Sequence, residues 1–524
     1  MAGIGFELKK IFKEESFTNR SKAYLYSALV SAGPWLSSVI TVNLLFFIME
    51  IQGVSGQEKD LFSGTIVYSF VFSQILTAPW QFIITRYISD KLYVKEYKYI
   101  RPSFIGLNKI IFFLSLLIAV AFYWGKPLPN SYKFMAIYTF VIISMIWILM
   151  VYLSAVKNYE LIAKAYISGG LLTFALAFYL LKKPLEFTTI IMSANLLFSY
   201  LMGISLTFVI LMYNFLSTFY FGNEMEYDFI RYLSKYSSLF FIGLFYTLGL
   251  WADNIIMWFS EFGIETFETY HFSPLYDNAV FLAYLTIIPT MVLFLVSVET
   301  DFYSYYKNYF GLANKKGTFK EIKLAENKMK DVLFNQLIYT FEVQGLISLT
   351  IILLSKYIFK FLNVNSLIRN IFRVTSIGAL FNIFILLIIL VLLYFEIRKR
   401  ALLVSVSFFV FNTAFTWFFK DKGISYYGYG FVVGTFSAFC IGAIILFKFM
   451  KKISYNTFAL QPLYIKKEQG IFVFIADNLN FYKEIKLNKA TIFINLFRKR
   501  KVKNNTLRSR RIKRKRRERR KKKH

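Results

Sequence analysis

The chain reads as an all-α polytopic membrane protein with about twelve transmembrane helices in two six-helix bundles around a central cavity. Three observations say so. Twelve apolar stretches of about 20 residues fill the chain between residues 23 and 449, and a bilayer core of ~30 Å takes roughly 20 apolar residues per helical span. The composition is 57% hydrophobic and only 18% charged, far from that of soluble domains. The apolar runs are continuous rather than alternating, which excludes a porin-type barrel. In lipid every backbone N–H and C=O must be satisfied internally, so the runs are helices.

In chain order the spans fall near 23–49, 61–84, 104–124, 134–155, 165–181, 187–212, 239–258, 280–298, 333–354, 374–395, 401–419 and 428–449. An even number puts both termini on one side. The even-numbered loops carry 19 Lys/Arg and the odd-numbered ones 11, so both termini are expected in the cytoplasm. Loop 9, with Lys356, Lys360, Arg369 and Arg373, runs against the trend, whereas loop 259–279 has acids and no Lys or Arg.

Weak internal similarity divides the chain. Gly33-Pro34-Trp35 of span 1 parallels Gly249-Leu250-Trp251 of span 7. Pro79, Asp90 and Tyr93 parallel Pro289, Asp301 and Tyr303. Six spans per half preserve orientation, which gives parallel repeats about an axis along the membrane normal, with the substrate path between them. The expected layout is an N-terminal bundle over 1–212, a cytoplasmic linker over 213–238, a C-terminal bundle over 239–452, and an extension over 453–524.

Polar residues inside spans are functional candidates because charge is expensive in hydrocarbon. Asp253 lies deep in span 7 beside Asn254, and seven residues after Tyr246 on the same helix face. It is read as facing a wet cavity, or else as an interfacial anchor. Gln74 and Gln81 flank Pro79 on one face of span 2, and Glu342 and Gln344 form a second polar spot in span 9. Pro79 and Pro289 free backbone carbonyls. Gly430-x-x-x-Gly434 permits close helix approach. Arg86, Asp90 and Lys91 after span 2, and Glu299 and Asp301 after span 8, are candidates for an inner gate that pairs across the halves. The 20% aromatic content suits stacking against sugar rings.

Catalytic signatures are lacking. The only cysteine is Cys440 and the only histidines are His271 and His524, so neither a disulfide nor a His-based metal cluster is expected. No P-loop, G-x-S-x-G or H-E-x-x-H motif occurs. The chain is therefore expected to be neither an enzyme nor a cofactor-binding protein. Glu58 and Asp60 in loop 1 are only a weak match to glycosyltransferase acids.

Net charge is +32. Residues 498–524 hold 18 Lys/Arg and a single acid, Glu518. Such a run cannot fold alone. At the cytoplasmic face it would be drawn to anionic lipid, with RNA the less expected ligand. Residues 453–497, with apolar runs at 470–476 and 490–497, read as an extension of low order.

Several stretches resemble the PelG family, the inner-membrane transporters of the Pel exopolysaccharide system. They are MAGIGFELKKIF at the start, SAGPW at 31–35, TRYISDKLY at 85–93, GLWADNIIMWF at 249–259, SPLYDNAVFLAYLTIIPTMVLFLVSVETDFY at 273–303 and YNTFALQP at 455–462. The resemblance covers roughly residues 1–462. It implies the multidrug/oligosaccharidyl-lipid/polysaccharide exporter fold in a bacterial inner membrane. It also implies a cytosolic glycosyltransferase and membrane-bound Pel subunits as partners, and a polymer rich in N-acetylgalactosamine. A flippase or antiporter for small or lipid-linked cargo, and a non-transporting scaffold for the synthase, are the alternatives.

Overall fold

The computed structural model describes residues 38–156, 159–186, 188–219, 225–297, 302–314, 317–361, 364–458 and 470–481. Its helices are α1 (Ser38–Ile51), α2 (Gly56–Tyr93), α3 (Ile100–Tyr123), α4 (Asn130–Val156), α5 (Tyr159–Lys182), α6 (Ile191–Thr218), the short α7 (Arg231–Lys235) and α8 (Ser237–Trp258). After a small hairpin, β1 (Ile264–Thr266) and β2 (Tyr270–Phe272), follow α9 (Pro274–Leu285), α10 (Ile288–Ser297), α11 (Tyr303–Asn314), α12 (Phe319–Phe361), α13 (Ser366–Tyr394), α14 (Arg398–Phe419), α15 (Tyr429–Lys451) and α16 (Ile453–Phe458). The last described helix is α17 (Ile471–Phe481).

Eleven described stretches are long and apolar enough to cross a membrane. They match spans 2 to 12 of the sequence reading. Only the second half of span 1 is described, as α1.

Two departures have physical causes. Helix α12 begins 14 residues before the expected span, since the chain stays helical through its charged segment outside hydrocarbon. The N–H and hydroxyl of Thr318 both donate to Glu321 at its N-terminal end, closing a capping box. Span 8 is broken. Helix α9 ends before Thr286, and α10 carries Pro289 at its second residue. Proline has no N–H to give to the preceding turn, so the helix parts there. Pro79, by contrast, lies inside an unbroken α2.

Packing repeats between the halves. Helix α2 packs on α4, α3 on α4, α4 on α6, and α5 on α6; correspondingly α9 packs on α13, α12 on α13, α13 on α15, and α14 on α15. Helix α14 also packs on α8. On the other side, Gly170 of α5 has no Cβ where Thr41 of α1 approaches. The two halves are therefore built alike, as the paired Gly, Pro and Asp marks suggest. The Gly430/Gly434 pair serves the α14–α15 crossing, where a Cβ would lie 2.4 Å from Thr416 Cα and 2.7 Å from Asn412 Cα respectively.

Near the start of α12, Glu326 is buried and accepts hydrogen bonds from Lys323, Lys330 and Ser454. This ties the projecting start of α12 to α16. Residues 470–481, read from sequence as low order, include a helix docked on the segment between the halves. The basic run of 498–524 lies outside the described residues.

Candidate functional site

Among the described residues the halves meet chiefly along an antiparallel seam, α2 against α8. It can be followed from the end that carries the hairpin, outer by the expected orientation, to the opposite, inner end.

At the outer end, the hairpin that follows α8 reaches over the N-terminal half. Its strands pair Ile264 with Phe272, Glu265 with His271 and Thr266 with Tyr270. Phe267 and Glu268 at its tip have φ of 51° and 47°, a left-handed conformation that costs non-glycine residues about 1–2 kcal/mol each. Lys126 holds the tip by donating to the Glu268 carbonyl at 2.8 Å. The tip drives Tyr270 between α2, α3 and α4. There its hydroxyl meets Thr65 at 3.0 Å and Tyr123 at 2.7 Å, and Thr65 in turn meets Tyr132 at 2.8 Å. Below it, Tyr68 both donates to and accepts from the His271 backbone at 3.0 Å. The Trp258 ring stacks on Tyr68, centroids 4.9 Å apart.

In the middle, the indole N–H of Trp251 donates to Gln74 Oε1 at 2.8 Å. About two turns further inward along α8, Gly243 faces α2 closely. A Cβ there would lie 2.5 Å from the Ala78 carbonyl oxygen, so the crossing needs glycine. Gln81, on the same face of α2, donates to Thr77 at 3.2 Å. Trp80 meets Phe240 edge-on at 5.6 Å.

At the inner end, Arg86 of α2 pairs with Asp90 one turn on at 3.1 Å. It also crosses to Glu396, in the turn between α13 and α14. Arg86 and Arg398 lie over the ring of Tyr236, at 5.2 and 4.5 Å, and Tyr232 donates to Asp90 at 3.2 Å. Lys91 stays with Glu96 at 3.0 Å and Asp228 at 3.5 Å. The inner-gate candidates thus divide. Arg86 joins the halves, but through Glu396. Glu299 and Asp301 lie outside the described residues.

Asp253 is placed differently from the wet-cavity expectation. It is fully buried inside the C-terminal half. It accepts from the Tyr276 hydroxyl at 2.7 Å and from the Asn412 amide at 3.0 Å. Asn412 also donates to the Gly249 carbonyl, so the carboxylate bolts α8, α9 and α14 together. A second carboxylate lies next to it. Asp277 accepts from Asn254 at 2.7 Å, from the Trp258 indole, and from the Ser273 N–H at 3.0 Å. Tyr246 packs against Phe408 of α14 at 5.7 Å, on the side of α8 that carries Asp253.

Gln344 is buried at the break in span 8. It donates to the freed Thr286 carbonyl at 3.2 Å and to Ser348, and accepts from Thr290. Glu342 does not join it, being exposed on another face of α12. Sequence reasoning missed Tyr270, Trp258, Asp277, Asn412 and Glu396. Asp277 alone left a signal, a Ser-Pro helix start with a carboxylate four residues on.

Two small pockets can be described. One lies among α8, α9, α14 and α15, the other among α1, α5 and α6. Neither of these two lies between the halves. Among the described residues no group of His, Cys, Asp and Glu is arranged to hold a metal ion.

The fold is that of solved multidrug transporters. A Vibrio cholerae MATE transporter superposes with a TM-score of 0.58 at 11% identity, covering 86% of this chain and 99% of its own. An outward-facing MATE family transporter of the MOP superfamily gives 0.57 at 12% identity, covering 83% and 97%. A MATE transporter in complex with Rb⁺ gives 0.52 at 13% identity, covering 83% and 97%. No curated protein matches the chain. Residues 1–458 match the model of the PelG family, which carries the description exopolysaccharide exporter (EPS-E). The chain, a multi-pass membrane protein of transporter fold, therefore belongs to the PelG family of exopolysaccharide exporters.

Proposed function

We propose that this protein moves a growing, Pel-like amino sugar exopolysaccharide from the cytoplasm to the periplasm across the bacterial inner membrane. Family membership gives the cargo class. The α2–α8 seam is the observation that supports a path. It runs the depth of the span, is faced by aromatic rings and amides, and is fastened at both ends by bonds between the halves.

When the halves part, Tyr68, Trp80, Trp251 and Trp258 expose flat faces that stack on sugar rings. Gln74 and Gln81 offer amide donors and acceptors to hydroxyl and acetamido groups. Such contacts are individually weak, as a conduit needs, since cargo that binds tightly does not leave. Asp253 and Gln344 hold the walls in place. The positive cytoplasmic segment 299–332, with its seven Lys/Arg, docks the glycosyltransferase that feeds the polymer. The exposed Lys320 and Lys328 flank Glu326, which fixes that segment.

Sealed inverted vesicles holding this protein, its glycosyltransferase and its membrane partners test the reading. Labelled nucleotide sugar is supplied outside, and hydrolase-protected polymer inside is scored. Protected polymer that vanishes when this chain is omitted, while synthesis continues, is the expected result. Polymer that stays outside in every case overturns it and favours a scaffold or a small-cargo transporter.

A further inference from the structure

Helix α17 lies beyond residue 458, where the family match ends. Its two faces differ. Ala476 and Asn480 are buried. Asp477 pairs with Arg231, and Asn480 accepts from the Tyr227 N–H at 3.0 Å. That face grips the segment between the halves. The opposite face is apolar and bare, with Ile471 76%, Phe474 68% and Phe481 60% exposed, and with Ile475 and Leu479 beside them. At 100° per residue, Ile471, Phe474, Ile475 and Phe481 lie on the side away from Ala476 and Asn480, with Leu479 at its edge.

The depth of this helix is set by its partner. Glu226, next to Tyr227, pairs with Lys109 of α3 at 2.7 Å. Its carbonyl lies where a Cβ on Gly106 would be only 2.3 Å away. Gly106 and Lys109 are among the first residues of the third span at its cytoplasmic end. Helix α17 is therefore held at the level where hydrocarbon meets headgroups. Several large apolar side chains bare at that level match an interfacial helix. The chain then runs into 18 Lys/Arg within 498–524, the charge that draws a segment to an anionic leaflet.

We propose that α17 is a membrane-surface anchor. Its apolar face lies in the cytoplasmic leaflet, and its polar face ties the inter-half segment at Tyr227 and Arg231 to the bilayer. This rests on the spans and not on the identity of the cargo.

The full chain offers a direct test. With Cys440→Ser as background, Phe474→Cys carries a fluorescent label, and Ile471→Cys is a second site. Lys320→Cys, exposed on the cytoplasmic side, is the reference. Each is reconstituted in phosphatidylcholine vesicles with and without phosphatidylglycerol, and quenching by shallow spin-labelled lipid is read. The labels at 474 and 471 are expected to be quenched about twofold or more over the reference, as for side chains in the interface. The excess should be larger with phosphatidylglycerol and smaller once the basic run is neutralised. Quenching equal to that at 320 in both lipids overturns the proposal. So does a label that lipid never quenches but that becomes shielded on adding the glycosyltransferase, which would make the face a protein-docking surface.

Discussion

Trp251 and Gln74 are 177 residues apart in sequence and meet at 2.8 Å midway along the seam. The bond joins two half-buried side chains from opposite halves. Interhelical hydrogen bonds in membranes are worth ~0.6–1.7 kcal/mol, enough to bias a seam that must open without locking it. Gln74→Leu and Trp251→Phe remove the same bond. Each should insert normally and leave the apparent melting temperature within a few degrees. Both should change polymer delivery in the same direction, and the double variant should add little to either single one. Additive effects on delivery would mean that the two residues act separately.

The inner fastening is more polar and more exposed. Arg86 is shared between Asp90 and Glu396 and lies over Tyr236. Partly exposed ion pairs are worth about 0.2–1 kcal/mol, and salt screens them. Glu396→Gln suits the test better than Glu396→Ala, since it removes the charge and keeps the length of the side chain at a position whose φ is 60°. The expected result is faster modification of a cysteine placed at Leu239, buried near the inner end of α8, with no loss of folded protein. Arg86→Glu with Glu396→Arg should restore part of the protection. Modification that is unchanged in Glu396→Gln would show that the pair does not hold the inner end.

Much of the scaffold was legible because hydropathy measures what the bilayer selects. Spans 2 to 12 were placed within a few residues at most ends, the long α12 being the main exception. There hydrocarbon ends near Leu333 but the helix does not, since the preceding charged turns are capped and tied by Glu326. Span 8 was read as continuous, because proline alone does not foretell a break: Pro79 leaves α2 whole, whereas Pro289 interrupts its helix, where Gln344 from α12 donates to the freed carbonyl. Asp253 and Gln74 were legible as polar residues in costly places. Their partners Tyr276, Asn412 and Trp251 were not, since partnership depends on which helix faces meet. Glu396 reads as an ordinary loop charge until the fold brings Arg86 to it.

The buried carboxylate makes a prediction that separates wall from path. Asp253→Ala would orphan the Tyr276 hydroxyl and the Asn412 amide, at about 1–3 kcal/mol for each unsatisfied group. Asp253→Asn keeps an acceptor for one partner and should cost less. Thermal unfolding in detergent should therefore rank wild type above Asp253→Asn above Asp253→Ala. Tyr276→Phe with Asp253→Leu, which removes donor and acceptor together, should recover part of the loss. Delivery per folded molecule should be nearly unchanged in Asp253→Asn. A normal melting temperature with abolished delivery would instead put Asp253 in contact with cargo.

Gly243 gives the sharpest test of the seam as the moving element. Its missing Cβ leaves room for the Ala78 carbonyl, which would otherwise lie at 2.5 Å. Backbone cannot swing aside as a side-chain tip can, so Gly243→Ala must push α2 and α8 apart. Overpacking of this kind costs about 1–3 kcal/mol. The displacement should also lengthen the Trp251–Gln74 bond two turns outward and loosen Trp80 from Phe240. A seam that opens for transport should then rest closer to open. Gly243→Ala is expected to raise cysteine accessibility along α2 at Gln74 and Gln81, and to leave the outer cluster of Thr65, Tyr123 and Tyr270 protected. If accessibility rises instead at Tyr123 and stays low at Gln74, the halves part at the hairpin and the seam is a static joint. Gly249→Ala, packed on Phe408 inside the C-terminal half, is the matched control. It should lower stability without exposing Gln74, because its crowding falls within one half and not between the two.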